Sequence, residues 1–319
     1  MQIISDCTQA EIQKAAKSLK EGHLVAFPTE TVYGLGADAI NEKAVKRIYS
    51  VKKRPADHPL IVHIPAMTQI GKWAIEVPEY ALKLAKAYWP GPLTLILKRS
   101  DIAKNFITGG QENVGLRVPS HPVAIALLIE FEKLGGLGIA APSANRFGAV
   151  SPTNANAVFE EIGDKLESED FILDGGRSLV GIESTIVDCT NREPSILRPG
   201  AITAEMIKVI TEFRMFLNQD QTKIKAPGLL DSHYAPKARV ILDGLARPGD
   251  GFIALKSIKT PSGAIRLASP QDIEKYANEI YAALRLGDSK ALKRIVVIPP
   301  KGEGLAVAIR NRIERAAFY

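Results

Sequence analysis

Short apolar runs alternate with amphipathic helical stretches along almost the whole chain, and this alternation limits the fold more than any other feature. His23–Phe27, Leu60–Ile64, Leu93–Leu97, Gly115–Val118 and Gly138–Ala141 have the length and content of buried strands. Phe171–Leu173 and Ser184–Asp188 continue the series. Between them, Thr8 and Glu11 make a capping box for a helix whose apolar face is Ile12, Ala15, Ala16 and Leu19, with Gly22 at its stop. Asn41 caps a second helix with the stripe Ala44, Val45, Ile48 and Val51, which Pro55 is expected to end. Further helices are expected over Pro78–Tyr88, Pro122–Lys133, Asn154–Gly163 and Ala204–Glu212. The segment PTETVYGLGADA between the first strand and Asn41 is turn-rich and has no helical period. Interspersed strands and helices imply an α/β fold on a mixed twisted sheet.

At 319 residues the chain is long for one domain. Residues 214–237 turn polar and loop-rich, with APGLL and HYAP inside. Beyond them strand and helix patterns resume: Val240–Leu242, Gly251–Leu255, a helix over Pro270–Leu286, Arg294–Ile298 and a helix over Leu305–Ala317. The expected organisation is a first domain at 1–212, a linker at 213–237 and a small α/β domain at 238–319.

Charge is unevenly spread. Residues 1–212 carry 23 Lys and Arg against 25 Asp and Glu, whereas residues 236–319 carry 15 against 8. The net charge of +6 therefore belongs to the C-terminal third, and the larger part offers no basic stripe for nucleic acid. With 46% hydrophobic and 24% charged residues the chain is globular rather than disordered. Its longest apolar run, Val123–Ile129, is far below the ~20 residues that span a bilayer. Cys7 and Cys189 stand alone, with no CxxC pair, and the start MQIISDC has no leader pattern, so a reduced cytoplasmic protein is expected.

Gly34–Ala39 and Gly136–Ala141 both match G-x-G-x-x-A, but neither sits in the strand–turn–helix context that binds a dinucleotide. A better constellation is spread over several loops. Thr29, Glu30, Thr31 and Tyr33 follow a buried strand. Lys52, Lys53 and Arg54 close a helix, and His58 and His63 flank the next strand. Arg117 ends another strand, Ser143 and Asn145 sit at the mouth of a fourth with Arg146 and Ser151 beyond, and Ser184 and Arg198 complete the set. Singly, each has an ordinary explanation: cations favour helix C-termini, and Ser and Asn form turns. Jointly, Lys52, Arg54, Arg117 and Arg198 suit a multiply charged anion such as a nucleoside triphosphate, since charge-assisted hydrogen bonds contribute ~1.5–3 kcal/mol each. Glu30 and Asp57 are candidates to place a divalent cation.

PTETVYGLGADA, AVKRIYSVKKRPADHPLIVHI, WPGPLTLIL, VGLRVPSHP, APSANRFGAVSPT, GIESTIVD and ILRPG together resemble the YrdC-type threonylcarbamoyl-AMP synthases, almost continuously from about residue 5 to 212. APGLLDSHYAPKA and the small tail are similar to the long, two-domain members. The resemblance implies a nucleotidyltransferase that makes threonylcarbamoyl-AMP and pyrophosphate from L-threonine, bicarbonate and ATP with Mg²⁺. The product would pass to a separate transferase that modifies adenosine in tRNA.

Carried over onto matching positions, the resemblance makes Lys52, Arg54, Ser143 and Asn145 the catalytic residues. It makes Arg54, His58, Ser143, Ser151, Arg198, His233 and Tyr234 the ATP contacts. Thr31, His63, Arg117, Ser184 and the backbone of Ala141 would hold threonine, Arg117 by its carboxylate. Many members carry a basic residue before HYAP, where this chain has Leu230, Asp231 and Ser232. Two other readings compete with this one. One is a double-stranded RNA or tRNA-binding module without catalysis, which the first domain's charge and lack of interleaved aromatics oppose. The other is a carbamoyl-transfer enzyme of hydrogenase maturation, which two cysteines are too few to support.

Overall fold

The computed structural model describes residues 2–4, 6–213 and 233–318. Most of the expected linker, with Leu230, Asp231 and Ser232, lies outside the described residues.

Ten strands form the larger sheet: Gln2–Ile4 (β1), Val25–Phe27 (β2), Gly34–Asp38 (β3), Ile61–His63 (β4), Leu93–Lys98 (β5), Asn113–Arg117 (β6), Ile139–Ala140 (β7), Phe171–Leu173 (β8), Thr185–Asp188 (β9) and Ser195–Arg198 (β10). Their order is β1-β8-β2-β3-β7-β4-β6-β5-β9-β10. Parallel pairs (β1 with β8, β4 with β6, β5 with β9) alternate with antiparallel ones (β2 with β3, β5 with β6, β9 with β10), so the sheet is mixed. The helices of this part are Gln9–Lys20 (α1), Glu42–Lys52 (α2), Ile70–Trp73 (α3), Glu79–Tyr88 (α4), Asn105–Thr108 (α5), Pro122–Lys133 (α6), Ala155–Ile162 (α7) and Ala204–Thr211 (α8).

Local signals account for most of these elements. Thr8 and Glu11 make the reciprocal capping box that starts α1, and Asn41 accepts from the Ala44 N–H to start α2. The second helix ends at Lys52, ahead of Pro55, because Lys53 takes a left-handed C-cap at φ 51°. That sharp turn lets Lys52 and Arg54 both point inward while Lys53 stays exposed. The turn-rich reading of PTETVYGLGADA is corrected by β3. Gly-Leu-Gly-Ala-Asp lacks the bulky alternation of a strand because it is squeezed between neighbours: a Cβ on Gly36 would lie 2.7 Å from Ile139 Cγ2 and 2.9 Å from Phe27. Strands β1 and β10 likewise were not anticipated.

A second sheet of four parallel strands follows, Arg239–Leu242 (β11), Gly251–Ile253 (β12), Ile265–Ala268 (β13) and Arg294–Val297 (β14), in the order β11-β14-β12-β13. Ile273–Ser289 (α9) and Leu305–Ala317 (α10) cover it. Strand β13 was also unexpected, and α9 starts at the Asp272 cap rather than at Pro270. The two parts share apolar packing: Val32, Val150 and Ile182 join Tyr234, Tyr276, Tyr281, Ile309 and Ile313 in one buried cluster. Among the described residues no helix is long and apolar enough to cross a membrane.

Strand alternation then places the site. Val62, Leu95, Leu116 and Val187 point into the main core beneath the helices. Their neighbours Ile61, Ile96 and Ile186 point to the opposite face, where Leu197 joins them. His63 and Arg117 share that second face and lie side by side in register.

Candidate active site

One hollow opens on that second face. Its wall includes Thr31, Lys52, Arg54, His63, Arg117, Ala141, Ser143, Asn145, Ser184, Arg198, His233 and Tyr234. The four cations expected to converge do so, although they come from three separate segments. Strand ends explain only part of this; the rest follows from side chains that project from the sheet face. Two expected residues do not reach the wall. His58 packs edge-on against Phe147, ring centroids 5.3 Å apart, and Phe147 lines the hollow. Ser151 is fully buried behind it, donating to Glu183 Oε1 at 2.6 Å.

Each cation is held from behind. Lys52 Nζ donates to the carbonyl of Ser143 at 2.5 Å and to that of Asn145. Arg54 donates to the Pro59 carbonyl at 3.0 Å and lies over the Phe147 ring. Arg198 reaches the Ser184 carbonyl at 3.1 Å and the Ser184 hydroxyl at 3.2 Å, and Thr94 fixes the same hydroxyl at 2.8 Å. Arg117 meets Glu30 at 2.6 Å and the Gly91 carbonyl at 3.3 Å. Because Lys52 and Arg54 are gripped by carbonyls, their charge is oriented without being cancelled. The Asn145 amide in turn donates to the carbonyls of Arg146 and Ala149, which stiffens the loop.

Burial shapes the electrostatics. It drives the Lys52 ammonium well below the ordinary lysine value, with Arg54 adding repulsion, and it brings Arg54 down to about 10. It also pushes His63 down to about 3, helped by Arg117, and His233 down to about 3. Both rings are therefore neutral at pH 7. Buried polar atoms normally have partners, yet Arg54 Nε, His63 Nδ1, Asn145 Oδ1, His233 Nδ1 and the Tyr234 hydroxyl find none among the described residues. Five of the twelve such atoms among the described residues thus belong to this one wall, where a polar ligand can complete them.

Glu30 is corrected as a cation-placing candidate, since its carboxylate is taken by Arg117 and by the Ser120 N–H at 3.0 Å. Asp57 is exposed and not on the wall. Sequence reasoning missed Glu183 and Phe147, both wall residues; an acidic residue directly before Ser184 was the available signal for the first.

A mixed sheet whose open face carries four buried cations defines an anion-binding α/β enzyme. The family model described as "Telomere recombination" (Sua5/YciO/YrdC) matches residues 17–200, and that described as "Threonylcarbamoyl-AMP synthase, C-terminal domain" matches 202–318. The chain is 42% identical to a threonylcarbamoyl-AMP synthase of Pyrococcus abyssi, covering 97% of this chain and 94% of the relative. It is 38% identical to that of Bacillus subtilis, covering 96% and 93%. The crystal structure of P. abyssi Sua5 complexed with L-threonine superposes with a TM-score of 0.89, at 38% identity over 99% of this chain and 98% of that one. The chain belongs to the threonylcarbamoyl-AMP synthase family, in its two-domain form, and is an enzyme of nucleotidyltransferase type.

Proposed function

We propose that this enzyme, acting in the cytoplasm, joins L-threonine, bicarbonate and ATP into threonylcarbamoyl-AMP with release of pyrophosphate and water, supplying a separate transferase that modifies adenosine in tRNA. The observation that carries the reading is the convergence of Lys52, Arg54, Arg117 and Arg198 on one hollow. Joining a carbamate to a triphosphate means holding two anions together, and preoriented cations offset their repulsion.

In this reading the threonine amine captures CO₂ or bicarbonate as a carbamate, whose oxygen attacks the α-phosphorus as pyrophosphate leaves. The protein supplies no covalent nucleophile. Arg117, held by Glu30, takes the threonine carboxylate. Neutral His63, Thr31, Ser184 and the Ala141 backbone surround the rest of the amino acid. Lys52 and Arg54 face the triphosphate and the bicarbonate-derived group, with Ser143 and Asn145 beside the reacting centre. Arg198 adds to the nucleotide side, where His233 and Tyr234 close the hollow, and His58 and Ser151 act through Phe147 and Glu183.

Among the described residues the carboxylates at the wall are already engaged. Glu183 is engaged by Ser151, Tyr281 and Arg312, and Glu30 by Arg117. The grouping His23, Glu167 and Glu169 lies off the wall. Magnesium is read as entering with the ATP substrate, held by phosphate oxygens. A non-catalytic RNA-binding role is not favoured, because the converging cations are only 1–7% exposed. Mass spectrometry of a reaction containing ATP, Mg²⁺, bicarbonate and threonine, with serine as competitor, tests the proposal. A threonine-dependent adenylate is expected, and its absence overturns the reading.

A further inference from the structure

Behind the nucleotide side of the hollow lies a buried ion pair that ties the two sheets together. Glu183 precedes Ser184 on the loop into β9, and Arg312 projects from α10, in the C-terminal part. Arg312 Nε donates to Glu183 Oε2 at 2.8 Å, and its Nη2 reaches the Glu183 carbonyl at 3.3 Å and the Pro199 carbonyl at 2.9 Å. Tyr281, from α9, donates to Glu183 Oε2 at 2.9 Å, while Oε1 accepts from Ser151. Arg312 is fully buried and Glu183 is 6% exposed. The Arg312 guanidinium also lies over the Tyr234 ring at 5.5 Å, and Tyr234 stacks on Tyr281 at 5.6 Å.

Apart from Asn311, whose side chain accepts from Arg312 Nη1 at 2.8 Å, the groups touched by this pair lead to nucleotide-side residues. Pro199 follows Arg198, Ser151 is held directly, and Tyr234 is sandwiched between Arg312 and Tyr281. Ser184 is less dependent, because Thr94 pins its hydroxyl from the other side. A buried charge pair of this kind is strong only when every lone pair and proton is used, and here both carboxylate oxygens and two of the guanidinium nitrogens are engaged within it. Charge favours the ionised state: although burial alone would raise the Glu183 carboxyl, Arg312 and then Arg198 hold it down at about 2.

We propose that Arg312, working through Glu183, is a positioning residue for adenylation: the C-terminal domain thereby sets the geometry of Ser151, Arg198 and Tyr234 around ATP. The proposal rests on the hollow being the ATP site argued above. The small domain is then the rear wall of the nucleotide subsite as well as the neighbour of the linker.

The test uses the full-length enzyme and compares Arg312→Met, Arg312→Lys and Glu183→Gln with wild type, measuring pyrophosphate release while ATP and threonine are varied separately. Arg312→Met is expected to raise the KM for ATP at least tenfold and the KM for threonine less than threefold. Arg312→Lys, which keeps the charge and one donor direction, should recover part of the loss. A purely structural role would reduce the active fraction, and so apparent kcat, with both KM values unchanged. Arg266→Met is the control: this arginine caps carbonyls of Ala254 and Leu255 far from the wall, and its loss should leave the ATP KM as it was. If Arg312→Met does not fold, the near-isosteric Glu183→Gln carries the measurement. Folded variants at either position with an ATP KM within threefold of wild type overturn the proposal. A wild-type enzyme that makes no adenylate instead overturns the functional reading beneath it.

Discussion

Replacing Arg117 by methionine separates what this arginine does for the fold from what it does for threonine. The Arg117–Glu30 pair is 2.6 Å long with side chains 5% and 7% exposed, so solvent screens it little. Removing one partner leaves a buried carboxylate without its counter-charge, which costs about 3–5 kcal/mol. Glu30 keeps the Ser120 N–H, so the lower end, ~3 kcal/mol, is expected. A second variant, Glu30→Gln with Arg117→Met, removes the stranded charge and should regain most of that stability in a thermal melt. Threonine affinity should not return with it, because the lost bond to the amino acid's carboxylate is worth ~1.5–3 kcal/mol, roughly ten- to 150-fold in Kd. Calorimetric titration with threonine reads this directly. A double variant that binds threonine within threefold of wild type would refute the assignment of Arg117 to the carboxylate. A single variant as stable as wild type would refute the argument from burial.

Lys52→Ala and Arg54→Ala should each slow turnover at least ~10–100-fold, one or two charge-assisted contacts' worth, in a pyrophosphate-release assay. His63 and His233 titrate near 3 in the fold, chiefly because they are buried, against 6.5 when unfolded. Between those values the unfolded chain binds more protons, so stability present above pH 6.5 is lost as pH falls toward 3, at up to ~1.4 kcal/mol per unit for each ring. Thermal melts from pH 7 to 4 should show that slope, and His63→Gln should make it shallower. Gly181→Ala should cost roughly 2–4 kcal/mol by denaturant titration. Gly181 has φ +82°, and an added Cβ would sit 2.4 Å from Asn278 Cα, main chain against main chain between the two domains.

The sequence carried Lys52, Arg54 and Arg117 because each stands at a recognisable boundary, two at a helix end and one at a strand end; Arg198 was singled out although its strand, β10, was not. It carried the large strands for the same reason, since Leu60–Ile64 and Leu93–Leu97 are dense apolar runs between turn signals. What it hid depends on contacts between distant residues. Strand β3 consists of small residues that make sense only once Phe27 and Ile139 are packed against them. Glu183 and Arg312 are 129 positions apart, and neither has a local pattern that names the other. Glu30 looked available for a cation because its partner comes from another strand. His58 and Ser151 were expected on the wall, but Phe147 and Glu183 stand in front of them.

Main-chain oxygens, which carry only partial charge, grip Lys52 and Arg54, so the unliganded enzyme stores like charges at close quarters. Under the function proposed above, the substrates' phosphates supply the counterions these two side chains lack, and their binding should firm this part of the molecule. In that reading the same arrangement works against release, because pyrophosphate would leave a place suited to hold it.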